Sequence, residues 1–201
     1  MKTWFFLSFQ KIKMKKIVLY STILFIFNQC QKKEETELVK VKKQYSIEIP
    51  KSLTKVDFLH ADASLQYQNE KTEFYTIVID EPSFDFDTLV LQEADLRAQY
   101  SPNLTGYATL LKNNIAATLK NGEFSAFENV TINGLSAIII NASGTVDGHA
   151  IYYQFGFVKG RETYYQIVSW TELNRKKSHL ETMKNIIFSF KEISKPKKKQ
   201  P

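Results

Sequence analysis

The sequence predicts an α+β domain in which helices flank an antiparallel β-sheet on both faces. Three observations predict this class. Several runs alternate apolar and polar residues, Asn-Gly and Asp-Gly pairs join successive runs, and two other segments carry apolar residues at helical spacing. An α/β/α sandwich satisfies all three, because each helix can cover a sheet face that would otherwise expose apolar side chains.

The first half of the domain contains three predicted strands followed by one predicted helix. The strands are QYSIEIP, ASLQYQN and EFYTIVIDEP, and a turn is predicted at residues 69–71. The segment 83–100 has a mixed pattern that predicts no element. The helix lies in SPNLTGYATLLKNNIAATLKNG, where Asn103 can cap the start and Gly122 can close the end. Its apolar stripe consists of Leu104, Tyr107, Leu111, Ile115 and Leu119.

The second half predicts an antiparallel meander and a closing helix. Asn133-Gly134 joins EFSAFENVTI to LSAIIINASGTV, and Asp147-Gly148 joins that strand to HAIYYQFGFV. Such pairs are typical of two-residue hairpins, since both central residues need positive φ. The segment KGRE leads into the last strand, TYYQIVSWT. The helix NRKKSHLETMKNIIFSFK then presents one apolar stripe, formed by Leu180, Met183, Ile187 and Phe190.

The N-terminal segment has the layout of a secretory signal. Two lysines precede an uncharged run, residues 17–27, which is shorter than the roughly 20 apolar residues of a membrane-spanning helix. Residues 1–29 are therefore predicted to be a signal peptide, with translation starting at Met1 or at Met14. Cys30, the only cysteine of the chain, resembles the acylated first residue of mature bacterial lipoproteins, although Gln29 stands where a small residue is usual. An ordinary secreted protein with a free thiol is the alternative.

The two ends of the remaining chain carry its excess positive charge. Residues 30–43 are predicted to be the lipidated cysteine and a polar tether, 44–193 the domain, and 194–201 a disordered basic tail. The whole chain has a net charge of +6, but residues 44–193 contain 13 basic and 18 acidic side chains. This balance argues against nucleic acid as a partner, because a nucleic-acid footprint clusters on the folded domain. Residues 31–35 resemble a surface-display tag of outer-membrane lipoproteins; a periplasmic orientation is the alternative.

The order of elements resembles the PsbP/Mog1-like superfamily. The similar features are the opening YSIEIP, the mid-chain helix, ING before a long strand, the aromatic strands and the final IIFSFK. The resemblance covers residues 45–191 and implies an antiparallel sheet between helices. It also implies an accessory, binding or assembly role with no shared catalytic residues. Several bacterial relatives are lipoproteins, which agrees with Cys30.

The sequence predicts no catalytic residues, no metal ligands and no cofactor. Ser52 and Lys55 have the S-x-x-K spacing of acyl-enzymes, but they follow a strand and a proline instead of lying on a helix. The three histidines, His60, His149 and His179, are far apart and are expected at the surface. Four carboxylates in a predicted loop, Asp80, Glu81, Asp85 and Asp87, lack the glycine and spacing of a calcium-binding loop.

Seven aromatic residues on two adjacent strands form the predicted ligand or partner face. They are Tyr152, Tyr153, Phe155, Phe157, Tyr164, Tyr165 and Trp170. Strand alternation sends Tyr152 to one face and Tyr153, with Phe155 and Phe157, to the other. One set is expected in the core under a helix, and the other could line an open face or groove. The alternative is that helices cover both faces.

These observations predict a non-enzymatic binding or accessory module anchored by lipid to the bacterial outer membrane. Its predicted partners are the membrane, through the anchor, and either an envelope protein or a small ligand. Two other functions stay open at this point. One is a structural or assembly subunit of an envelope complex, and the other is a hydrolase with an unrecognised site.

Overall fold

Two antiparallel sheets and four α-helices make up the part of the chain that the computed structural model describes, residues 34–42 and 44–193. The strands are β1 (Thr36–Val41), β2 (Tyr45–Pro50), β3 (Thr54–Lys55), β4 (Ala63–Asn69), β5 (Phe74–Pro82), β6 (Lys120–Phe124), β7 (Glu128–Ile132), β8 (Leu135–Val146), β9 (His149–Lys159), β10 (Thr163–Glu172) and β11 (Lys191–Glu192). The helices are α1 (Ser83–Gln92), α2 (Ala94–Gln99), α3 (Leu104–Thr118) and α4 (Lys176–Ser189), the last preceded by a 3₁₀ turn at Leu173–Arg175.

The larger sheet, which we call the main sheet, has eight strands. Its order is β3-β4-β5-β10-β9-β8-β6, and β7 pairs with the other end of the β8 edge. The smaller sheet has the order β1-β2-β11. Because β5 pairs with β10, two strands that are separated in the chain by three helices and four strands meet in the middle of the main sheet. Sequence-distant residues are thereby brought onto neighbouring strands.

The two faces of the main sheet bury two separate apolar clusters. One face packs against α4 and the smaller sheet, and its cluster contains Tyr45, Ile47 and Ile187. The other face packs against α1 and α3, and its cluster contains Phe86 and Tyr107. Strand alternation divides side chains between the clusters, so that neighbours in sequence point in opposite directions. This arrangement confirms the α+β class and the helix–sheet–helix layering.

Both hairpin predictions are confirmed by the backbone geometry. Asn133 and Gly134 have φ values of 48° and 85°, and Asp147 and Gly148 have values of 50° and 86°. These are the positive angles that a two-residue type I′ turn requires. The turns fix the register of β8 against β7 on one side and β9 on the other.

Strand β1 lies inside the predicted polar tether. Its six residues pair with β2 from Thr36 opposite Pro50 to Val41 opposite Tyr45. Val41 is buried, and Val39 packs on the same cluster. The predicted tether, residues 30–43, therefore extends too far into the folded part of the chain. Four of the six residues of β1 are exposed, so its sequence, TELVKV, resembles that of a polar tether. Cys30, the predicted signal peptide and the basic tail lie outside the described residues.

Two further local expectations are wrong. The carboxylates expected in a loop lie instead at the end of β5 and in α1, and the unassigned segment forms α1 and α2. Gly122 does not close α3, because the helix ends at a cap on Leu119 and Gly122 belongs to β6. Leu119 has extended backbone angles, φ −89° and ψ 101°, and its side chain is buried in the second apolar cluster. None of the described helices combines the length and apolarity needed to cross a membrane.

Candidate ligand groove

A groove with a volume of about 340 Å³ opens at one end of the main sheet. Three elements build it: the start of β5, the β8–β9 turn with the start of β9, and the end of β10. Its aromatic walls are Tyr75, Tyr153 and Trp170. Its polar and charged lining residues are Glu73, Asp147, His149, Thr171 and Glu172, and Val146 and Ile151 add apolar surface.

The three aromatic rings form a row across adjacent strands. Trp170 on β10 lies directly opposite Tyr75 on β5 and Tyr153 on β9. Its ring centroid is 5.3 Å from that of Tyr75, with the planes inclined by 12°, and 6.2 Å from that of Tyr153. Such cross-strand aromatic pairs stabilise a sheet and fix each ring against its neighbours. The groove wall is therefore held in place by the sheet register.

Carboxylates surround this row. Glu73 forms an ion pair with Arg175, with 2.7 Å between Oε2 and Nε. Glu172 lies 3.5 Å from His149 Nδ1 and also accepts a hydrogen bond from Asn174. Asp147, in the β8–β9 turn, has no ion pair with any of the described residues. The groove therefore carries more negative than positive charge.

The same charges act on Tyr75. Its pKa is raised above the ordinary value of 10.0, first by burial and then by the negative charges of Glu73, Glu70 and Glu172. The pKa of Tyr153 is raised by burial alone. Both effects favour the neutral phenol. Within the groove, the tyrosines therefore act as uncharged aromatic walls and hydrogen-bonding groups.

The structure divides the seven aromatic residues of the predicted face into two sets. Five are buried in the two clusters: Tyr152, Phe155, Phe157, Tyr164 and Tyr165. Tyr153 and Trp170 are partly exposed and meet in the groove. Sequence reasoning missed Tyr75, although its place beside the core residue Phe74 in an alternating strand assigns it to the opposite face. The missing signal was the β5–β10 register.

The carboxylates of β5 and α1 support buried tyrosines. Tyr107 Oη donates a hydrogen bond to Glu81 and accepts one from Gln166 Nε2 at 2.8 Å. Tyr164 Oη donates to Asp87 at 2.9 Å. Among the described residues, no three His, Cys, Asp or Glu side chains are grouped to hold a metal ion. Glu81 and Asp87 therefore serve as hydrogen-bond acceptors for buried tyrosines.

The remaining sequence candidates have local partners. The Ser52 hydroxyl donates to Glu34 Oε1, and Lys55 lies on the short strand β3. His60 Nδ1 accepts from the backbone of Asp62. His179 is only partly exposed, since its ring stacks on Phe74 with a centroid distance of 4.8 Å. His149 is exposed at the groove.

Comparison with known proteins establishes the fold. No family model and no curated protein matches the chain. The solved structures that match include the cyanobacterial PsbP protein CyanoP of Synechocystis sp. PCC 6803, with a TM-score of 0.55 and 14% identity over 83% of this chain and 98% of that one. LpqN of Mycobacterium tuberculosis is described as involved in cell envelope biogenesis. It has a TM-score of 0.51 and 13% identity over 80% of this chain and 91% of that one.

The Ran-binding protein Mog1p of Saccharomyces cerevisiae also matches, with a TM-score of 0.48 and 8% identity over 80% of this chain and 97% of that one. At these identities the likeness concerns the fold. The similarity to CyanoP extends over nearly the whole of that protein. The chain therefore has the α+β fold of PsbP-like proteins, as the resemblance in sequence implied.

Proposed function

We propose that this protein is a non-enzymatic binding module of the bacterial cell envelope that holds its ligand in the groove between β5, β9 and β10. The groove carries this proposal. It combines aromatic walls with a few charged groups, which is the composition of many ligand sites. Tyr and Trp are also the residues on which binding energy most often concentrates.

The anchor in this proposal is a lipid on Cys30. The signal-like segment before the cysteine supports it, and the described part of the chain begins only four residues later, at Glu34. Glu34 accepts hydrogen bonds from Ser52 and Thr182, which tie it to the domain. Four residues span at most about 14 Å. An acyl group on Cys30 would therefore hold the domain close to the bilayer surface.

The envelope location has support from one structural neighbour. LpqN shares the fold and is described as involved in cell envelope biogenesis. We extend the location, and no activity, from that protein to this one. An outer-membrane lipoprotein with its domain on the cell surface or in the periplasm agrees with the signal segment.

Cell fractionation and mass spectrometry of the full chain test the anchor. We expect the protein in the membrane fraction, with a mature N-terminus at Cys30 that carries a diacyl or triacyl mass. Cys30→Ala should move the protein to the soluble fraction without changing its thermal unfolding, since Cys30 lies outside the folded unit that begins at Glu34. An unmodified chain recovered free in the cytosol would overturn the proposal.

An assembly subunit is the second candidate, and the surface of α1 favours it. Phe84, Leu89 and Leu91 are 73%, 47% and 55% exposed, so this helix presents apolar side chains to solvent. Exposed apolar patches often mark protein interfaces. Co-purification from envelope extract separates the two candidates. A stable stoichiometric partner that Phe84→Ser releases would favour assembly over ligand capture.

A hydrolase is the third candidate, and the pair His149–Glu172 favours it. A carboxylate beside an imidazole is the arrangement that orients a general base. No serine or cysteine lies among the described residues that line the groove, so the base would have to activate water. Turnover of ester or amide substrates that His149→Asn abolishes would establish this activity and overturn the non-enzymatic proposal.

A further inference from the structure

The ligand class of the groove follows from its walls and its charge. We infer that the groove binds an alkylammonium group, which the rings of Tyr75, Trp170 and Tyr153 contact and the carboxylates of Asp147 and Glu172 neutralise. This inference rests on the proposed function, because it names the ligand of the same groove.

The aromatic row supplies the first part of the recognition. Aromatic faces attract cations through the ring quadrupole, and Trp is the strongest of the three aromatic side chains in this respect. Trp170 stands at the centre of the row, within 6.2 Å of both neighbours. Trp170 and Tyr153 are partly buried, so a cation there loses part of its water and gains more from the rings than it would at an open surface.

The carboxylates supply the second part. Glu73 is already paired with Arg175, whereas Asp147 has no ion pair with any of the described residues. Glu172 contacts Asn174 and His149, and the His149 ring is charged only when it is protonated, so both carboxylates can act on a cationic ligand. Among the described residues lining the groove, His149 alone can carry positive charge, and its side chain is 68% exposed. Burial is the largest cause of the raised pKa of Tyr75, and the negative charges of Glu73, Glu70 and Glu172 add to it. An anionic ligand would meet repulsion here.

The position of the groove suggests where such a group comes from. Ser52 contacts Glu34 through its hydroxyl and Asn69 through its carbonyl oxygen, and the turn after Asn69 leads to Glu73 in the groove. The groove and residue 34 therefore lie at the same end of the main sheet. With an anchor on Cys30, this end faces the bilayer. The alkylammonium group would belong either to a phospholipid headgroup or to a free amine in the envelope.

Tryptophan fluorescence offers a direct test. The chain has two tryptophans, and Trp4 lies in the predicted signal peptide, so the mature chain that begins at Cys30 has Trp170 as its only tryptophan. Where residues 1–29 are retained, Trp4→Phe leaves Trp170 as the only source of the emission. Choline is the probe, and 3,3-dimethylbutanol, which has the same shape without the charge, is the matched control. We expect choline to change the Trp170 emission in a saturable manner and to bind at least about tenfold more tightly than the alcohol. Equal binding of the two, or no binding of either, would overturn the inference.

Substitutions in the groove assign the site. Asp147→Asn keeps a residue that the β8–β9 turn accepts and removes one charge. We expect it to weaken choline binding about fivefold, and Asp147→Asn with Glu172→Gln to weaken it further. Glu128→Gln, on β7 outside the groove, is the control and should leave binding unchanged. Trp170→Ala, followed by calorimetry, should abolish binding. Unchanged binding in the Asp147 and Trp170 variants would place the ligand elsewhere and overturn the inference.

Vesicles distinguish the two sources of the group. The Cys30→Ala chain, which cannot be acylated, is mixed with vesicles of phosphatidylethanolamine and phosphatidylcholine or with vesicles of phosphatidylglycerol alone. Association with the first kind only, competed by free choline, identifies a lipid headgroup. Binding of free choline with association to neither identifies a soluble amine. Fractionation tests the anchor separately, so the failure of this inference and that of the proposed function give different results.

Discussion

Gly156 of β9 lies directly beneath Ile187 of α4. A Cβ atom built on this glycine would stand 2.6 Å from Ile187 Cγ2, which is closer than two non-bonded carbon atoms approach without a steric clash. Ile187 is fully buried at this contact. The helix therefore packs on the sheet at a distance that the absence of a side chain on β9 permits.

We expect Gly156→Ala to lower the free energy of unfolding by about 1–3 kcal/mol, because the added methyl group overpacks the contact with α4. Urea denaturation measures the change. Ile187→Ala removes the clashing Cγ2 and serves as the partner in a double-mutant cycle. The double variant should lose less stability than the sum of the single variants. Additive losses would contradict the close contact.

The start of α3 offers a second test. Asn103 Oδ1 accepts a hydrogen bond from the backbone N–H of Gly106 at 3.1 Å, which confirms the cap predicted from the sequence. Asn103→Ala should lower the free energy of unfolding by about 1 kcal/mol. Asn103→Ser should lower it much less, because serine can also cap a helix. Asn114→Ala, at an exposed position within the same helix, is the matched control and should be neutral or stabilising. Equal losses in the two alanine variants would refute the capping role.

A third test concerns the hydroxyl group of Tyr107. The side chain is 2% exposed, and its Oη lies between Glu81 and Gln166. Tyr107→Phe leaves these partners without their shared hydrogen bond, and we expect a loss of about 1–3 kcal/mol. Gln166 Nε2 already lies 3.4 Å from Glu81 and can recover part of the loss by bonding to it.

The matched control for Tyr107 is Tyr100→Phe. The Tyr100 hydroxyl accepts an exposed hydrogen bond from Asn113, which water can replace. We expect this change to alter the free energy of unfolding by less than about 0.5 kcal/mol. A loss as large as that of Tyr107→Phe would show that burial of the hydroxyl is not what matters.

Alkaline pH provides a fourth test. Eight tyrosines have a pKa raised above 10.0, with burial as the largest cause, and the pKa of Tyr165 rises to about 12. The eight are Tyr45, Tyr67, Tyr75, Tyr107, Tyr152, Tyr153, Tyr164 and Tyr165. Above pH 10 the unfolded chain loses these protons first, so the native state binds more protons than the unfolded state. Stability should therefore be complete below pH 10 and fall as the pH rises toward 12 and beyond.

Two measurements follow this loss. Urea midpoints from pH 7 to pH 11 should fall only in the upper part of the range. The absorbance of ionised tyrosine should lag behind that of the urea-unfolded chain until the fold is lost. If the tyrosines of the native protein and of the unfolded chain ionised together near pH 10, the burial of their hydroxyl groups would be refuted.

Local signals account for most of the agreement between sequence and structure. Asn133-Gly134 and Asp147-Gly148 determine their turns through their own backbone preferences, so no tertiary information was needed. Asn103 likewise caps a helix within its own segment. Alternation correctly assigned Tyr152 and Tyr153 to opposite faces, because successive side chains of a strand point to opposite sides of the sheet.

The errors arose where packing overrides local pattern. Phe84 and Leu91 of α1 face solvent, so the helix lacks the single apolar stripe that would have identified it. The backbone of α3 becomes extended at the buried residue Leu119, ahead of the glycine that sequence rules favour. The groove depends on the pairing of β5 with β10, which brings Tyr75 beside Trp170. No short-range pattern encodes a register between segments so far apart in the chain.

The edge strands of the main sheet affect how other molecules can bind to it. On one side the last strand, β3, has only two residues. On the other, β6 changes register between Lys120 and Glu123, and β7 continues along β8 as a separate short strand. A long, regular edge strand can hydrogen-bond to an extended peptide, which then becomes an extra strand of the sheet. Pairing of the same kind between copies of a chain can start a fibril. Because the edge strands of the main sheet are short or irregular, they disfavour both the addition of a peptide strand and the growth of a fibril.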